Sequence, residues 1–220
     1  MLKIAILISG SGSNLQAILD RIACGELKAE ICGVLSNKAD AYGLIRAVNH
    51  NIPTAVISHK DFADREAFDE AMMEQIDGWA PDVVVLAGFM RILTPQFVTH
   101  YQGRLLNIHP SLLPKYKGLH THKRALEAGD SEHGCSVHFV TAELDGGPVI
   151  AQAVVPVLPG DSEESLTERV HKSEHGLYPQ VLVWMANGEL SWRHNMPVWQ
   201  GETLATPLRL ADQAAGTTQI

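Results

Sequence analysis

The stretch K-I-A-I-L-I-S-G-S-G-S-N, Lys3–Asn14, decides the fold. Its first half, Lys3–Ser9, is a short continuous apolar run of the kind that a parallel sheet buries on both faces. The run breaks at Gly10-Ser11-Gly12, and Leu15–Ala23 then carries a helical pattern. Strand, glycine turn and helix in that order open a sheet with helices packed on it. Working outward, the alternation repeats. Ile31–Ser36 reads as a second strand, Tyr42–Asn49 as a helix and Pro53–Ile57 as a third strand. Arg65–Asp77 reads as a helix with Phe68, Met72 and Ile76 four apart on one face. Asp82–Ala87 is the clearest strand, Thr94 caps a helix opened by Pro95 and running to His100, and Leu105–His109 is a fifth strand cut off by Pro110.

The second half changes style. Ser136–Thr141 and Val149–Val157 read as an antiparallel pair joined by Glu143–Pro148. A long helix follows from Ser162 to about Met185, with Asp161 and Glu164 at capping-box spacing. The predicted fold is therefore α/β: a Rossmann-like, mostly parallel sheet with helices on both faces, to which the C-terminal half adds an antiparallel strand pair and a long helix. Residues 1–190 are expected to form a single catalytic domain. Residues 191–220 are expected to be a C-terminal extension, with Thr203–Ile220 a loosely held tail.

Composition narrows the function. The 220 residues carry 17 Lys and Arg against 25 Asp and Glu, a net charge of −8. That balance speaks against a nucleic-acid binder, and an anionic ligand must be met by a local cluster of donors. No apolar run approaches the roughly 20 residues of a membrane span. The N-terminus lacks a secretory cleavage pattern, and the three cysteines, Cys24, Cys32 and Cys135, form no C-x-x-C pair. A cytoplasmic protein without a membrane, nucleic-acid or metal partner is expected, as a monomer or weak homodimer.

Three segments carry candidate chemistry. Gly10–Asn14 joins a strand end to a helix start, where unpaired N–H groups favour an anion. Leu15 replaces the third glycine of a dinucleotide loop, Ser36-Asn37-Lys38 offers no acid for a ribose, and no G-K-[ST] follows. The loop is either a cradle for a single phosphate, helped by Ser13 and Asn14, or a plain turn. The second segment is Asn107-Ile108-His109-Pro110. Residues two apart on a strand share a face, so an amide and an imidazole converge at a strand's C-terminal end, where open sheets bind ligands. Such a pair suits acyl transfer, the amide donating to an oxyanion and the imidazole moving a proton; it also suits a purely structural role. The third is Glu143-Leu144-Asp145-Gly146-Gly147-Pro148, either an ordinary turn or a carriage for a carboxylate beside His109. His120 and His122 lack a third metal ligand in sequence, and His171-Lys172-Ser173-Glu174-His175 is not a zinc-protease helix motif. Glu174, Arg65 and Arg91 read as surface groups by default. The two arginines stand near strand ends, where an anion role is open.

The sequence resembles the phosphoribosylglycinamide formyltransferase family, folate-dependent enzymes of purine synthesis. The resemblance rests on I-S-G-S-G-S-N-L-Q (Ile8–Gln16), S-N-K-A-D-A (Ser36–Ala41), A-P-D-V-V-V-L-A-G-F-M-R-I-L (Ala80–Leu93), L-L-N-I-H-P-S-L-L-P (Leu105–Pro114) and S-V-H-F-V-T-A-E-L-D-G-G-P-V-I (Ser136–Ile150), and spans about Leu2 to Asn187. It implies a catalytic trio of Asn107, His109 and Asp145. It implies a ribonucleotide site at Gly12, Ser13 and Asn14, with His171, Lys172, Ser173 and Glu174 across from them. It implies folate contacts from Arg65, Met90, Arg91, Ile92, Leu93, Asn107, Thr141, Ala142, Glu143, Leu144 and Asp145. The implied co-substrate is 10-formyltetrahydrofolate, the implied acceptor glycinamide ribonucleotide, and no metal is implied. Two related activities are expected less: a folate hydrolase, which carries a domain ahead of the catalytic one, and an initiator-tRNA formyltransferase, which adds a C-terminal domain and basic surface. A nucleotide-binding regulatory module without catalysis is the reading from another class.

Overall fold

The structure is a computed structural model and describes residues 1–211. Its centre is an eight-stranded sheet in the order β11-β7-β6-β5-β4-β1-β2-β3. These strands are β1 (Leu2–Ile8), β2 (Ala29–Ser36), β3 (Thr54–Val56), β4 (Val83–Leu86), β5 (Leu105–His109), β6 (Glu132–Phe139), β7 (Val149–Pro156) and β11 (Leu208–Ala211). β1 through β5 run parallel, β6 is antiparallel to both β5 and β7, and β11 pairs parallel with β7. The helices are α1 (Ser13–Ala23), α2 (Tyr42–Asn49), α3 (Arg65–Gly78), α4 (Pro95–His100), α5 (Thr121–Ala128) and α6 (Glu163–Ala186).

Strand alternation divides the core in two. Ile4, Ile6 and Ile8 of β1 pack with Leu15 and Ile18 of α1 and with Leu177, Tyr178 and Val181 of α6. Ala5 and Leu7 turn the other way, onto Phe68, Met72 and Ile76 of α3 and Phe97 of α4. Each fully buried aliphatic or aromatic side chain contributes about 1.5–3 kcal/mol by leaving water, which is why a run with no polar alternation is stable here. One polar tie joins the layers: the buried Tyr178 hydroxyl lies 3.1 Å from the Leu86 carbonyl and 3.0 Å from that of Leu106. Tyr178→Phe should cost ~1–2 kcal/mol, because a buried hydrogen bond is lost without loss of shape. A lower denaturant midpoint at unchanged slope would show it; an unchanged midpoint would mean that the hydroxyl contributes nothing.

The chain winds from β1 outward to β3, then returns to the other side of β1 through β4. The crevice between the C-terminal ends of β1 and β4 is thus the topological switch point, the position at which open α/β sheets bind ligands.

Two expectations need correction, and two features go beyond the sequence reading. The helix cap of α6 sits one residue later than the Asp161–Glu164 spacing suggests. The reciprocal pair is Ser162 with Ser165, at 3.0 and 3.1 Å. Asp161 is engaged by Arg169 instead, at 2.8 and 2.9 Å, and by the Leu158 N–H. The tail beginning at Thr203 is not loose throughout: Thr203 ends a short strand begun at Glu202 and Leu208–Ala211 forms β11 at the sheet edge, while residues 212–220 lie outside the described residues. From residue 190 the chain builds a separate three-stranded sheet of β8 (Leu190–Arg193), β9 (Met196–Trp199) and β10 (Glu202–Thr203), not foreseen. Nor was α5, whose only buried residues are Thr121 and Ala125.

Candidate active site

The loop at the switch point is built by close approach. Gly12 has φ +69°, in the left-handed region, and a Cβ there would stand 2.6 Å from Cα of Gly43 in α2. Only glycine meets both demands without strain. Gly12 is also the N-cap of α1; no side chain caps that end and its first turn holds no acid. The opening N–H groups of α1 are thereby left for something from outside. Gly12, Ser13 and Asn14 line a cleft of about 280 Å³ with Ser9, Gly10, Ser11, Ala87, Gly88, Met90, Ile108, Pro110, His171 and Glu174. That is room for one small ligand.

Glu174 is not a surface residue. It is 5% exposed, and the Asn14 amide donates to it at 3.0 Å across 160 residues of chain. Burial pushes its carboxyl above the ordinary range, while the Asn14 hydrogen bond and His171 pull it back. Asn14 Oδ1 is buried with no hydrogen-bond partner among the described residues, a polar atom held at the cleft wall. His171 lines the cleft, Lys172 is exposed, and Ser173 turns inward, its hydroxyl donating to the Arg169 carbonyl of the same helix.

The cleft reaches the end of β5 through Ile108 and Pro110, the chain neighbours of Asn107 and His109. Leu106 and Ile108 of β5 join the first core and Leu105 the second, so Asn107 and His109 face the Leu105 side. Asp145 arrives from the loop between β6 and β7. It has φ +48°, a left-handed conformation that costs a non-glycine residue about 1–2 kcal/mol. The backbone passes so close at Gly147 that a Cβ there would overlap the Phe139 carbonyl oxygen. The Asp145 side chain is 9% exposed, its Oδ2 3.5 Å from His109 Nδ1 and accepting the Gly118 N–H at 2.9 Å. The other ring nitrogen of His109 lies 2.9 Å from the Tyr116 carbonyl. A ring protonated at both nitrogens therefore has an acceptor at each.

Three groups at this site escaped the sequence reading. His138 pairs with Asn107 across the antiparallel β5–β6 register. Its Nδ1 meets the Phe139 carbonyl at 3.0 Å, which puts the proton there and leaves Nε2 as an acceptor for the Asn107 amide at 3.2 Å. Burial above all holds the His138 ring below the ordinary imidazole range, so it stays a neutral acceptor. The Asn107 amide is thus oriented, with its second N–H left over among the described residues. The Tyr116 carbonyl and the Gly118 N–H complete the enclosure of His109 and Asp145. The spacing of Ser136 and His138 two apart was the available signal, but it becomes readable only once β6 is known to lie beside β5.

The remaining expected residues are more dispersed. Met90 lines the cleft and is exposed, as are Ile92 and Leu144. Leu93 packs under the second core, Arg91 is half-buried, and Arg65 is exposed at the first position of α3. Thr141 is half-buried and Ala142 exposed; Glu143 pairs with Lys117 at 2.7 Å. His122 meets not His120 but His133, at 3.1 Å, and burial followed by His122 pushes His133 down to about 4. Among the described residues no group of three or more His, Cys, Asp or Glu is arranged to hold a metal ion, and no helix is long and apolar enough to cross a membrane.

A doubly wound sheet with an anion-type loop at its switch point and an amide, imidazole and carboxylate along the same rim defines a transferase-like α/β site. The comparisons name the class. The profile of the formyl transferase family matches residues 2–182, and the chain belongs to that family. It is 57% identical over 212 residues to a phosphoribosylglycinamide formyltransferase of Escherichia coli, covering 96% of this chain and 100% of that protein. A protein of the same name from Haemophilus influenzae is 49% identical over 204 residues, covering 93% and 96%. The solved structure of the phosphoribosylglycinamide formyltransferase from Coxiella burnetii superposes with a TM-score of 0.90 at 51% identity, covering 94% of this chain and 99% of that one.

Proposed function

We propose that the protein transfers the formyl group of 10-formyltetrahydrofolate to the free amine of glycinamide ribonucleotide, a step of purine synthesis in the cytoplasm. The observation that carries this reading is Asp145 beside His109, with Asn107 held by His138, at the end of a strand whose Ile108, with the following Pro110, lines a cleft shared with the uncapped start of α1. The phosphate of the ribonucleotide takes the loop Gly12–Asn14, which delivers the amine toward the strand end. The folate approaches from the rim formed by Met90–Leu93 and Thr141–Asp145, with Arg65 and Arg91 toward its acidic tail.

The amine nitrogen attacks the formyl carbon, and the carbonyl π pair moves to oxygen. The resulting oxyanion takes the free N–H of Asn107 and the positive charge of His109. Asp145 balances that charge from the opposite side of the ring. The amine then loses its proton, the folate N10 gains one, and the oxyanion re-forms the carbonyl as the carbon–N10 bond breaks, leaving the formyl group on the amine and releasing tetrahydrofolate. Direct donation from His109 Nε2 to the oxyanion requires the Tyr116 carbonyl to give way, since that nitrogen is engaged in the structure.

The test is to follow tetrahydrofolate release with and without the ribonucleotide. Turnover that requires the amine is the expected result. Turnover without it would replace the acceptor by water and make the protein a hydrolase. Binding of both compounds without turnover would leave a regulatory module.

A further inference from the structure

We infer that Arg46 is a positioning residue for the phosphate end of the ribonucleotide, acting from behind the Gly10–Gly12 loop. The inference rests on the phosphate-cradle reading of that loop. A trans peptide unit points its C=O and its N–H in opposite directions. Two successive carbonyls of the loop are caught by α2: the Gly43 N–H donates to the Gly10 carbonyl at 3.0 Å, and Arg46 Nε donates to the Ser11 carbonyl at 2.9 Å. The N–H groups of the same two units, those of Ser11 and Gly12, are thereby turned away from α2. The cleft lies on that side, since its lining includes Ser11 and Gly12 but no residue of α2.

Arg46 is itself held in place. Its Nη1 donates to Gln16 Oε1 at 3.0 Å, tying the first turn of α1 to α2. Its guanidinium lies 4.9 Å over the Tyr42 ring, and its Cδ would be 3.5 Å from a Cβ on Gly12. The guanidinium thus holds one carbonyl and one side-chain oxygen at once, a two-point grip that lysine cannot reproduce. It also brings a fixed positive charge next to the loop in a chain of net charge −8. Ser13 belongs both to the cleft and to the adjoining groove that Arg46 lines with Gln16 and His175, so that charge is one residue removed from the ligand.

The experiment is steady-state kinetics of the wild type, Arg46→Ala and Arg46→Lys, varying each substrate in turn, with inorganic phosphate as a competitive probe against the ribonucleotide. In Arg46→Ala the KM for the ribonucleotide and the inhibition constant of phosphate should both rise about tenfold or more, as loss of a charge-assisted contact implies. kcat and the KM for the formylfolate should stay within about twofold, less than 0.5 kcal/mol. Arg46→Lys should fall between, because it keeps charge but not the double contact, and it packs well enough to be read if Arg46→Ala does not fold. An unchanged ribonucleotide KM in either folded variant overturns the inference, as does an equal rise in both KM values. A wild type that never uses the ribonucleotide overturns the function and this inference together, whereas an active wild type matched by Arg46→Ala overturns the inference alone.

Discussion

Asp145→Asn should lower kcat by about 10³–10⁴, the loss seen when a buried carboxylate that orients a histidine becomes an amide. The substitution keeps the size and shape of the side chain and removes its charge. Asp145 Oδ2 stands 3.5 Å from His109 Nδ1 and accepts the Gly118 N–H, while Oδ1 is 3.9 Å from His138 Nε2. An amide cannot serve all of these. With its oxygen toward Gly118 and His109 it offers no negative charge to balance an imidazolium. With its NH₂ there it sets donor against donor. The carboxylate is 9% exposed, so water does little to screen the loss. The ribonucleotide KM should change by only a few-fold, because Gly12–Asn14 and Glu174 line the cleft and Asp145 does not. Rate constants with near-native circular dichroism are the measurement. A folded variant within about tenfold of the wild-type kcat, under 1.4 kcal/mol, would remove Asp145 from the chemistry.

Asn107→Ala should lower kcat by about 10²–10³, equivalent to ~2.7–4 kcal/mol for one oxyanion donor. The side chain is half-buried at the end of β5, so its removal leaves the strand intact. What is lost is the one N–H that no described residue occupies, the other being spent on His138 Nε2. The loss belongs to the transition state, so kcat and kcat/KM should fall together. Asn107→Ala that instead raises the folate KM at unchanged kcat would make Asn107 a binding group and leave the oxyanion to His109.

Elements legible in the sequence differ from those that are not by the distance along the chain over which they are stabilised. β1, β4, β5 and α3 were legible because their signals are local: an unbroken apolar run, an apolar face, a proline stop. The cap of α4 was legible for the same reason, Thr94 accepting from the Phe97 N–H just ahead of Pro95. α5 was not, because its stability comes from setting Thr121 and Ala125 against the rest of the fold, and its N-cap, His120, makes no side-chain capping bond. β11 was not, because four residues become a strand only when β7, paired at Leu208 with Ala151, is already in place.

The site divides in the same way. That an amide and an imidazole share one face of a strand, and that a glycine loop precedes a helix, is written in neighbouring residues, since backbone geometry alone sets which side chains align. The chemistry available to the protein was thus determined by its sequence. Whether those groups meet a carboxylate was decided by the tertiary structure. So were the burial of Glu174 against Asn14, the neutral tautomer of His138 and the grip of Arg46 on the loop. Each depends on segments far apart in the chain, and their hydrogen bonds and desolvation exist only after the sheet has closed the distance between them.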